Sequence, residues 1–438
     1  MGAGAFLEPL AVVVLLFGGA WINRATDYSL SAKNPRWEEP ALVARAVDGD
    51  DDLDVEEAQL THSKRSLSPS LLPSQEDKWR EREIRWLGFR TVVQTPNTAV
   101  FRNRLLSRVL HKFPFLVEAW YWALIYWVYQ LGRAFTAVTL VEGTVHVARR
   151  HALQVIEMEK RLHIFWEIPI QKFFMSYPRL MMHINWLYSF IHIPGTIAFL
   201  VWLYYYTITR PWLYEARRRT MAVCNLLAFV VFTIWPCMPP RLLSDPAYTG
   251  PQAELAKSYG FVDTVHGKEG ASSVWTQNKF CNQYAAMPSL HFGYSLMIGV
   301  TIMTIPLAPE HRRSKSLRLP FFNNSHPELA PAIRLPSPRR LACLTLGFMY
   351  PFAILIAIVS TANHFILDAV AGSLVCAVGW KINPMLLNLL PLEDWFLWVL
   401  RMHKPVQMPV EAERAFAVSL KKGKIDGWNP ERPVVVNK

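Results

Sequence analysis

The amino-acid sequence predicts an all-α, polytopic membrane helical bundle with a six-helix catalytic core and an N-terminal anchor helix. Three observations predict this fold class. The 438 residues are 52% hydrophobic and include 17 Trp, a residue that favours membrane–water interfaces. Apolar runs of about 17–24 residues recur along the chain, which is the length that crosses a hydrocarbon core of ~30 Å. Such runs must be helical, because lipid offers no partner for backbone N–H and C=O groups.

The N-terminal region is predicted to be a membrane anchor (residues 1–23) followed by a polar segment. The apolar run Phe6–Trp21 has the length of a signal peptide, but no Lys or Arg precedes it. Arg24 follows it, which favours an anchor with its N-terminus outside. Residues 24–112 are polar and contain the acidic run Asp48–Glu57, so they are predicted to be a partly disordered cytoplasmic linker.

The catalytic core is predicted to occupy residues 113–385, with the motif-bearing part at 150–385. The stretch Arg149–Tyr177 is amphipathic and is predicted to lie in the membrane interface. Residues 386–438 are predicted to form an interfacial helix and a cytoplasmic tail. The six predicted spans are Phe115–Leu131, Ile184–Thr207, Met221–Cys237, Pro288–Leu307, Leu341–Val359 and Phe365–Ile382.

The charge distribution predicts the orientation of these spans. The net charge is +12, but the basic residues do not form a compact domain, so no nucleic-acid partner is predicted. The positive charge instead indicates basic cytoplasmic loops. Residues 308–340 hold seven Lys and Arg against two Glu, whereas residues 238–287 hold four basic and four acidic residues. The first loop is therefore expected in the cytoplasm and the second outside it or in a lumen. The sequon at Asn323 then lies in the cytoplasm, where it is not glycosylated.

Polar side chains gather at the predicted non-cytoplasmic ends of three spans. Pro288 is expected to begin a helix, where its missing N–H costs nothing. The free N–H groups of such a start, together with the Ser289 hydroxyl, favour an anion such as phosphate. His291 would extend from the first turn into that site. An interfacial His beside a Ser cap is the alternative interpretation.

A second cluster opens the last span, where Asn363 and His364 precede Asp368. His364 and Asp368 are four residues apart, so they are expected to share one helix face. An Asp within an apolar span is functional by default. Its carboxylate is expected to accept Nδ1–H of His364, which leaves Nε2 as a nucleophile; a structural His–Asp hydrogen bond is the alternative. Arg241 lies at the same predicted depth, after another span.

Together these residues suit phosphoryl transfer at a lipid. One His attacks phosphorus, a second protonates the departing oxygen, and cationic or N–H groups hold the charged oxygens. The catalytic set is His291, His364 and Asp368, and the substrate-binding set is Arg241, Ser289 and Asn363. No carboxylate cluster or Cys/His spacing indicates a metal, and no cofactor is predicted. The predicted partner is a membrane lipid substrate; the sequence leaves protein partners open, and the cytoplasmic linker is a candidate segment for binding one.

The strings AMPSLHFGYS and ANHFILDAVAG resemble the second and third signatures of the phosphatidic acid phosphatase type 2 superfamily. With EKRLHIFWE and WPCMPPRLL, they are most similar to its inositol phosphorylceramide synthase branch, the inositolphosphotransferases, over residues 150–385. The resemblance implies that His364 is the nucleophile, His291 the acid/base and Asp368 the residue that orients His364. It also implies a Golgi or endoplasmic reticulum enzyme of sphingolipid metabolism whose active site faces the lumen.

The sequence departs from the phosphatase pattern of that superfamily. Ile358 stands where the pattern has an Arg six residues before the third-signature His, and the first signature is missing. Arg241 would then supply phosphate binding. These departures favour a transferase over a lipid phosphate phosphatase, which is the alternative activity. A non-catalytic lipid-binding membrane protein is the alternative of another class.

Overall fold

The computed structural model describes residues 4–26, 28–30, 78–86, 88–139, 143–208, 210–247, 249–265, 283–308, 311, 315–318 and 332–405. The chain divides into two compact units. The first comprises residues 1–16, 122–201 and 217–383, and the second comprises residues 17–121, 202–216 and 384–438. Helices provide nearly all the regular structure of the described residues, as the sequence predicts.

The helices and strands follow one another along the chain, numbered here in order. In the N-terminal part they are α1 (Gly4–Ile22), β1 (Trp79–Trp86), β2 (Phe89–Pro96), α2 (Leu105–Lys112) and α3 (Phe115–Thr139). The middle holds α4 (Thr144–Arg161), α5 (Glu167–Met175), α6 (Pro178–Trp186), α7 (His192–Tyr206), α8 (Pro211–Ile234), α9 (Pro240–Leu243) and α10 (Ala253–Lys257). The C-terminal part holds α11 (Leu290–Thr304), β3 (Lys315–Arg318), β4 (Ala332–Leu335), α12 (Pro338–Ser360), α13 (Ile366–Ile382) and α14 (Leu390–Val399).

Helix α11 packs against both α12 and α13 in the first unit, and glycines let these helices approach closely. A Cβ added to Gly299 of α11 would lie 2.2 Å from the Gly347 carbonyl of α12. A Cβ added to Gly372 of α13 would lie 2.2 Å from the carbonyl of Ser289, immediately before α11. Small residues at such contacts are typical of membrane helices, which associate by close packing rather than by the hydrophobic effect.

The amphipathic helix α4 contributes the other part of this core. Its buried side chains recur at helical spacing and pack against the segment after α8 and against Phe365, at the start of α13. Helix α5 follows after a short turn. The predicted interfacial stretch therefore forms two helices, and their buried faces contact the start of α13.

Two of the described helical stretches are long and apolar enough to cross a membrane, Pro338–Ser360 and Ile366–Val399. A third is available if the bent pair Pro178–Phe190 and His192–Tyr206 counts as one span. Helix α11 and the apolar part of α1 are shorter. These helices support a membrane protein, and the seven spans and their orientation stay predictions.

The second unit contains an antiparallel hairpin, in which β1 pairs with β2. Its anchor is Arg82, which makes a bidentate ion pair of 2.7 and 2.9 Å with Asp394 of α14. Thr95 donates to the same carboxylate at 2.9 Å. The segment predicted as a polar linker thus contains folded elements from Trp79 onward, while residues 31–77 and the predicted tail beyond 405 lie outside the described residues.

Candidate active site

The His291 segment places a capped helix start in the first unit. Helix α11 begins at Leu290, two residues after the start predicted at Pro288. Ser289 is its N-cap: Oγ accepts the Phe292 N–H at 3.4 Å, and the side chain is fully buried. The serine, rather than the proline, therefore satisfies the first turn. Contact between the Ser289 hydroxyl and phosphate stays a prediction.

His364 lies in the turn before α13, and its ring is fixed by a backbone carbonyl. Nδ1 lies 2.8 Å from the carbonyl oxygen of Ala286 and 3.5 Å from Oδ2 of Asp368. Because a carbonyl only accepts, Nδ1 carries the hydrogen, and in the neutral ring Nε2 keeps its lone pair. The expectation that Asp368 accepts this hydrogen is corrected, since Ala286 is the closer acceptor.

Asp368 is close to His364 for a reason other than a shared helix face. His364 precedes α13, whereas Asp368 is the third residue of the helix. Its Oδ2 accepts the Phe365 N–H at 2.9 Å, so the carboxylate turns back over the helix start in the manner of a capping box. This places a fully buried carboxylate beside the imidazole.

The two signature histidines lie next to each other. The ring centroids of His291 and His364 are 5.7 Å apart. The ring of His291 also contacts Tyr188 at 4.8 Å and His192 at 5.0 Å between ring centroids. Nδ1 of His192 lies 3.1 Å from the Tyr350 hydroxyl. The sequence interpretation missed His192, although a His inside the predicted span Ile184–Thr207 was a signal for it.

Arg241 joins the same neighbourhood through Asn363. Its Nε donates to Asn363 Oδ1 at 3.0 Å, and Nη1 pairs with Asp263 Oδ2 at 3.1 Å. The backbone N–H of Arg241 also donates to the carbonyl of Ala362 at 2.8 Å. The structure therefore brings an arginine to the residue before His364, while Ile358 is fully buried in the apolar core. Asp263 had not been predicted.

Two further carboxyls reach the start of α13 from other helices. Glu159 Oε1 accepts the Leu367 N–H at 2.8 Å, and Glu167 Oε1 accepts the Ile366 N–H at 2.9 Å. Both side chains are fully buried. Glu159 lies at helical spacing from the apolar residues Ala152 and Ile156 of α4, and an acidic residue on that stripe was the signal for it.

The described residues contain no group of three or more His, Cys, Asp or Glu side chains suited to holding a metal ion. The side chains that the structure brings together at this place carry imidazole, carboxyl and guanidinium groups. The imidazole of His364, a second imidazole and an arginine lie within one small neighbourhood.

Comparison with known proteins identifies the region that holds these residues. The family model described as PAP2 superfamily matches residues 153–314 and 332–382. This part of the chain belongs to the PAP2 superfamily. Membership supports a membrane enzyme of phosphatase or phosphotransferase type. The matched region includes both histidines, Arg241 and the two buried glutamates.

Other similarities are limited. Uronate isomerase from Salmonella arizonae is 34% identical over 58 residues. Those residues are 13% of this chain and 12% of that protein, so the chain spans about an eighth of its length. This short match carries no argument about activity. No solved structure matches the chain significantly.

Proposed function

We propose that the protein is a membrane phosphotransferase that moves a phosphorylated head group between lipids, in the manner of an inositol phosphorylceramide synthase. His364 is the nucleophile, His291 is the acid and base, and Asp368 stabilises the charge on His364. The observation that supports this most directly is the hydrogen bond from His364 to Ala286. It leaves a nucleophilic lone pair on Nε2, beside a second imidazole.

In the first step, Nε2 of His364 attacks phosphorus and the bond from phosphorus to the leaving oxygen breaks. His291 gives a proton to that oxygen, so the first lipid leaves as an alcohol. The phosphorylated imidazole carries positive charge, which the buried carboxylate of Asp368, 3.5 Å from Nδ1, stabilises. Nδ1 keeps its hydrogen throughout, because Ala286 accepts it.

In the second step, an acceptor hydroxyl attacks the same phosphorus. Its proton passes to His291, the bond from phosphorus to Nε2 breaks, and His364 returns to its starting form. A lipid alcohol such as ceramide as acceptor makes the enzyme a transferase, whereas water makes it a phosphatase. The site is proposed to face the lumen of the Golgi or endoplasmic reticulum, because its residues follow the loop predicted outside the cytoplasm.

Phosphate binding falls to the residues around Arg241. Its Nε and Nη1 are held by Asn363 and Asp263, and Nη2 is the part of the guanidinium that these two partners do not use. An arginine fixed in this way presents a preorganised cation to the charged oxygens of phosphate. The phosphatase pattern has its arginine at the position of Ile358, whereas Arg241 comes from a different segment of the chain. This departure from the phosphatase pattern favours the transferase.

The experiment uses the purified full chain in vesicles that contain labelled phosphatidylinositol and ceramide, with labelled phosphatidic acid as the second substrate. Transfer of labelled head group to ceramide is the expected result. Release of free phosphate from phosphatidic acid alone would favour the phosphatase. No turnover of any phospholipid, with lipid still bound, would favour the non-catalytic lipid-binding protein.

Three variants separate the roles of the histidines. His364→Ala is expected to abolish both turnover and the covalent phosphohistidine, trapped under acid-free conditions. His291→Ala should lower turnover less for a substrate whose leaving group is already a weak base. His183→Ala, an exposed histidine of α6, is the matched control and should behave as wild type. A phosphohistidine trapped on His291 would reverse the two roles.

A further inference from the structure

Three buried carboxyls converge on the first turn of α13. Consecutive N–H groups at Phe365, Ile366 and Leu367 donate to Asp368, Glu167 and Glu159, at 2.9, 2.9 and 2.8 Å. The first N–H groups of a helix have no acceptor within the helix, so each carboxyl supplies an acceptor that the N–H group would otherwise lack. Two of the three caps come from α4 and α5, which are distant in sequence from α13.

Each of these three carboxyls has a second oxygen that meets no hydrogen-bond donor among the described residues. These oxygens are Oε2 of Glu159, Oε2 of Glu167 and Oδ1 of Asp368, and all three are buried. Because Glu167 and Glu159 accept from the neighbouring N–H groups of Ile366 and Leu367, their carboxyls lie beside each other. Two ionised carboxylates only accept, so this contact becomes a hydrogen bond when one of the two holds a proton.

The electrostatics agree with that geometry. Burial, together with the nearby charges of Glu167 and Asp368, raises the pKa of Glu159 to about 9. Burial also raises the pKa of Glu167. Helices α4 and α5 are not among the helices long and apolar enough to cross a membrane. The groups that face Glu159 are Glu167 of α5, Asp368 of α13 and the thiol of Cys237 after α8, and none of them supplies positive charge.

We propose that Glu159 and Glu167 share one proton at neutral pH and act as a pair of positioning residues for the catalytic turn. The shared proton joins α4 to α5, and the two outer oxygens hold Ile366 and Leu367. His364 and Asp368 lie on either side of these N–H groups, so the pair fixes the nucleophile and its carboxylate. Loss of the proton places a further negative charge beside two others, and the repulsion opens the cap.

Because of this arrangement, activity falls on the alkaline side as the pair loses its proton. The activity part of the inference rests on the proposed function, whereas the shared proton does not. Wild-type kcat/KM is expected to fall by about tenfold per pH unit above the pKa of the pair. Glu159→Gln keeps an oxygen for Leu367 and gains an N–H that donates to Glu167, so it fixes the protonated arrangement. Its profile, normalised to its own maximum, should lack that alkaline fall.

The experiment has a direct readout and a kinetic readout, both on the full chain in detergent. Infrared difference spectra recorded during a pH titration should show a protonated carboxyl band that disappears near the alkaline limb in wild type. The band should be missing in Glu159→Gln and in Glu167→Gln. Glu157→Gln is the matched control, because Glu157 is exposed on the same helix and pairs only with Arg161 in the described contacts. It should keep both the band and the limb.

The outcomes separate this inference from the proposed function. A titrating band in a protein that turns over no lipid would leave the shared proton standing and refute the function. An active enzyme whose alkaline limb is the same in wild type and Glu159→Gln would refute the positioning role. A wild-type spectrum without a protonated carboxyl at neutral pH would refute the shared proton, even if neither variant folds.

Discussion

The contact between α13 and Ser289 predicts a large effect of one added methyl group. In Gly372→Ala, the new Cβ would lie 2.2 Å from the carbonyl oxygen of Ser289. Carbon and oxygen in contact are ordinarily about 3.3–3.6 Å apart, so the two backbones must separate by roughly 1 Å. The hydrogen bond of 2.9 Å from the Ser289 N–H to the Asp368 carbonyl would stretch with them.

This displacement falls between the two halves of the site. His291 follows Ser289 on α11, whereas Asp368 and His364 belong to the other side, so the distance between the histidines changes. A misplacement of about 1 Å lowers the rate by about 10²-fold, and overpacking costs about 1–3 kcal/mol of stability. Gly372→Ala is therefore expected to lose about 10²-fold in kcat while the protein still folds.

The assay measures kcat for head-group transfer and the thermal midpoint in detergent. Gly293→Ala is the graded comparison, because its Cβ would meet the Gly372 carbonyl at 3.0 Å and should have a smaller effect. Gly195→Ala is the control, since its Cβ has no atom within 4 Å; as a helical Gly→Ala change it should stabilise by up to about 1 kcal/mol with kcat unchanged. Wild-type kcat in Gly372→Ala would refute the geometry.

Four further predictions follow. Asp368→Asn should lower kcat by about 10²–10³-fold. This is less than the roughly 10⁴-fold loss seen in sites where an Asp alone fixes the tautomer of the His. Steady-state kinetics and trapping of the phosphohistidine measure the effect. Arg241→Ala should lower kcat/KM by about 10²–10³-fold in the transfer assay, because a preorganised donor is lost. Because the pKa of Glu159 is raised in the folded state, stability should fall with rising pH up to about 9, by at most about 1.4 kcal/mol per pH unit. Thermal midpoints should show that slope in wild type and lose it in Glu159→Gln. Asn323 should carry no glycan by mass spectrometry; a glycan there would invert the predicted orientation.

The proposed catalytic residues could be selected from the sequence because their signals are local. A four-residue spacing between His364 and Asp368 and a polar start to an apolar run are visible without a fold. The start of α11 was misplaced by two residues, because Pro288 and Ser289 both suit a helix start and only tertiary structure separates them. The closeness of His291 to His364 needed the packing of α11 against α13, which the sequence leaves open.

The partners of these residues could not be predicted in the same way. A backbone carbonyl such as that of Ala286 has no sequence signature, so its hydrogen bond to His364 depends wholly on the fold. Glu159 and Glu167 accept hydrogen bonds from the N–H groups of Leu367 and Ile366, which lie about 200 positions later in the chain. Their signal was weak: an acidic residue on the buried stripe of a helix that otherwise suits a membrane surface.

The hydrogen bond from His364 to Ala286 changes how the site divides its tasks. In the sequence-based interpretation, Asp368 both fixes the tautomer of the imidazole and balances its charge. In the structure Ala286 fixes the tautomer, which frees the carboxylate to cap α13 through Phe365 while it remains 3.5 Å from Nδ1. The same carboxylate therefore caps α13 and lies beside the imidazole that is the proposed nucleophile, so the turn before α13 and the proposed chemistry depend on the same atoms.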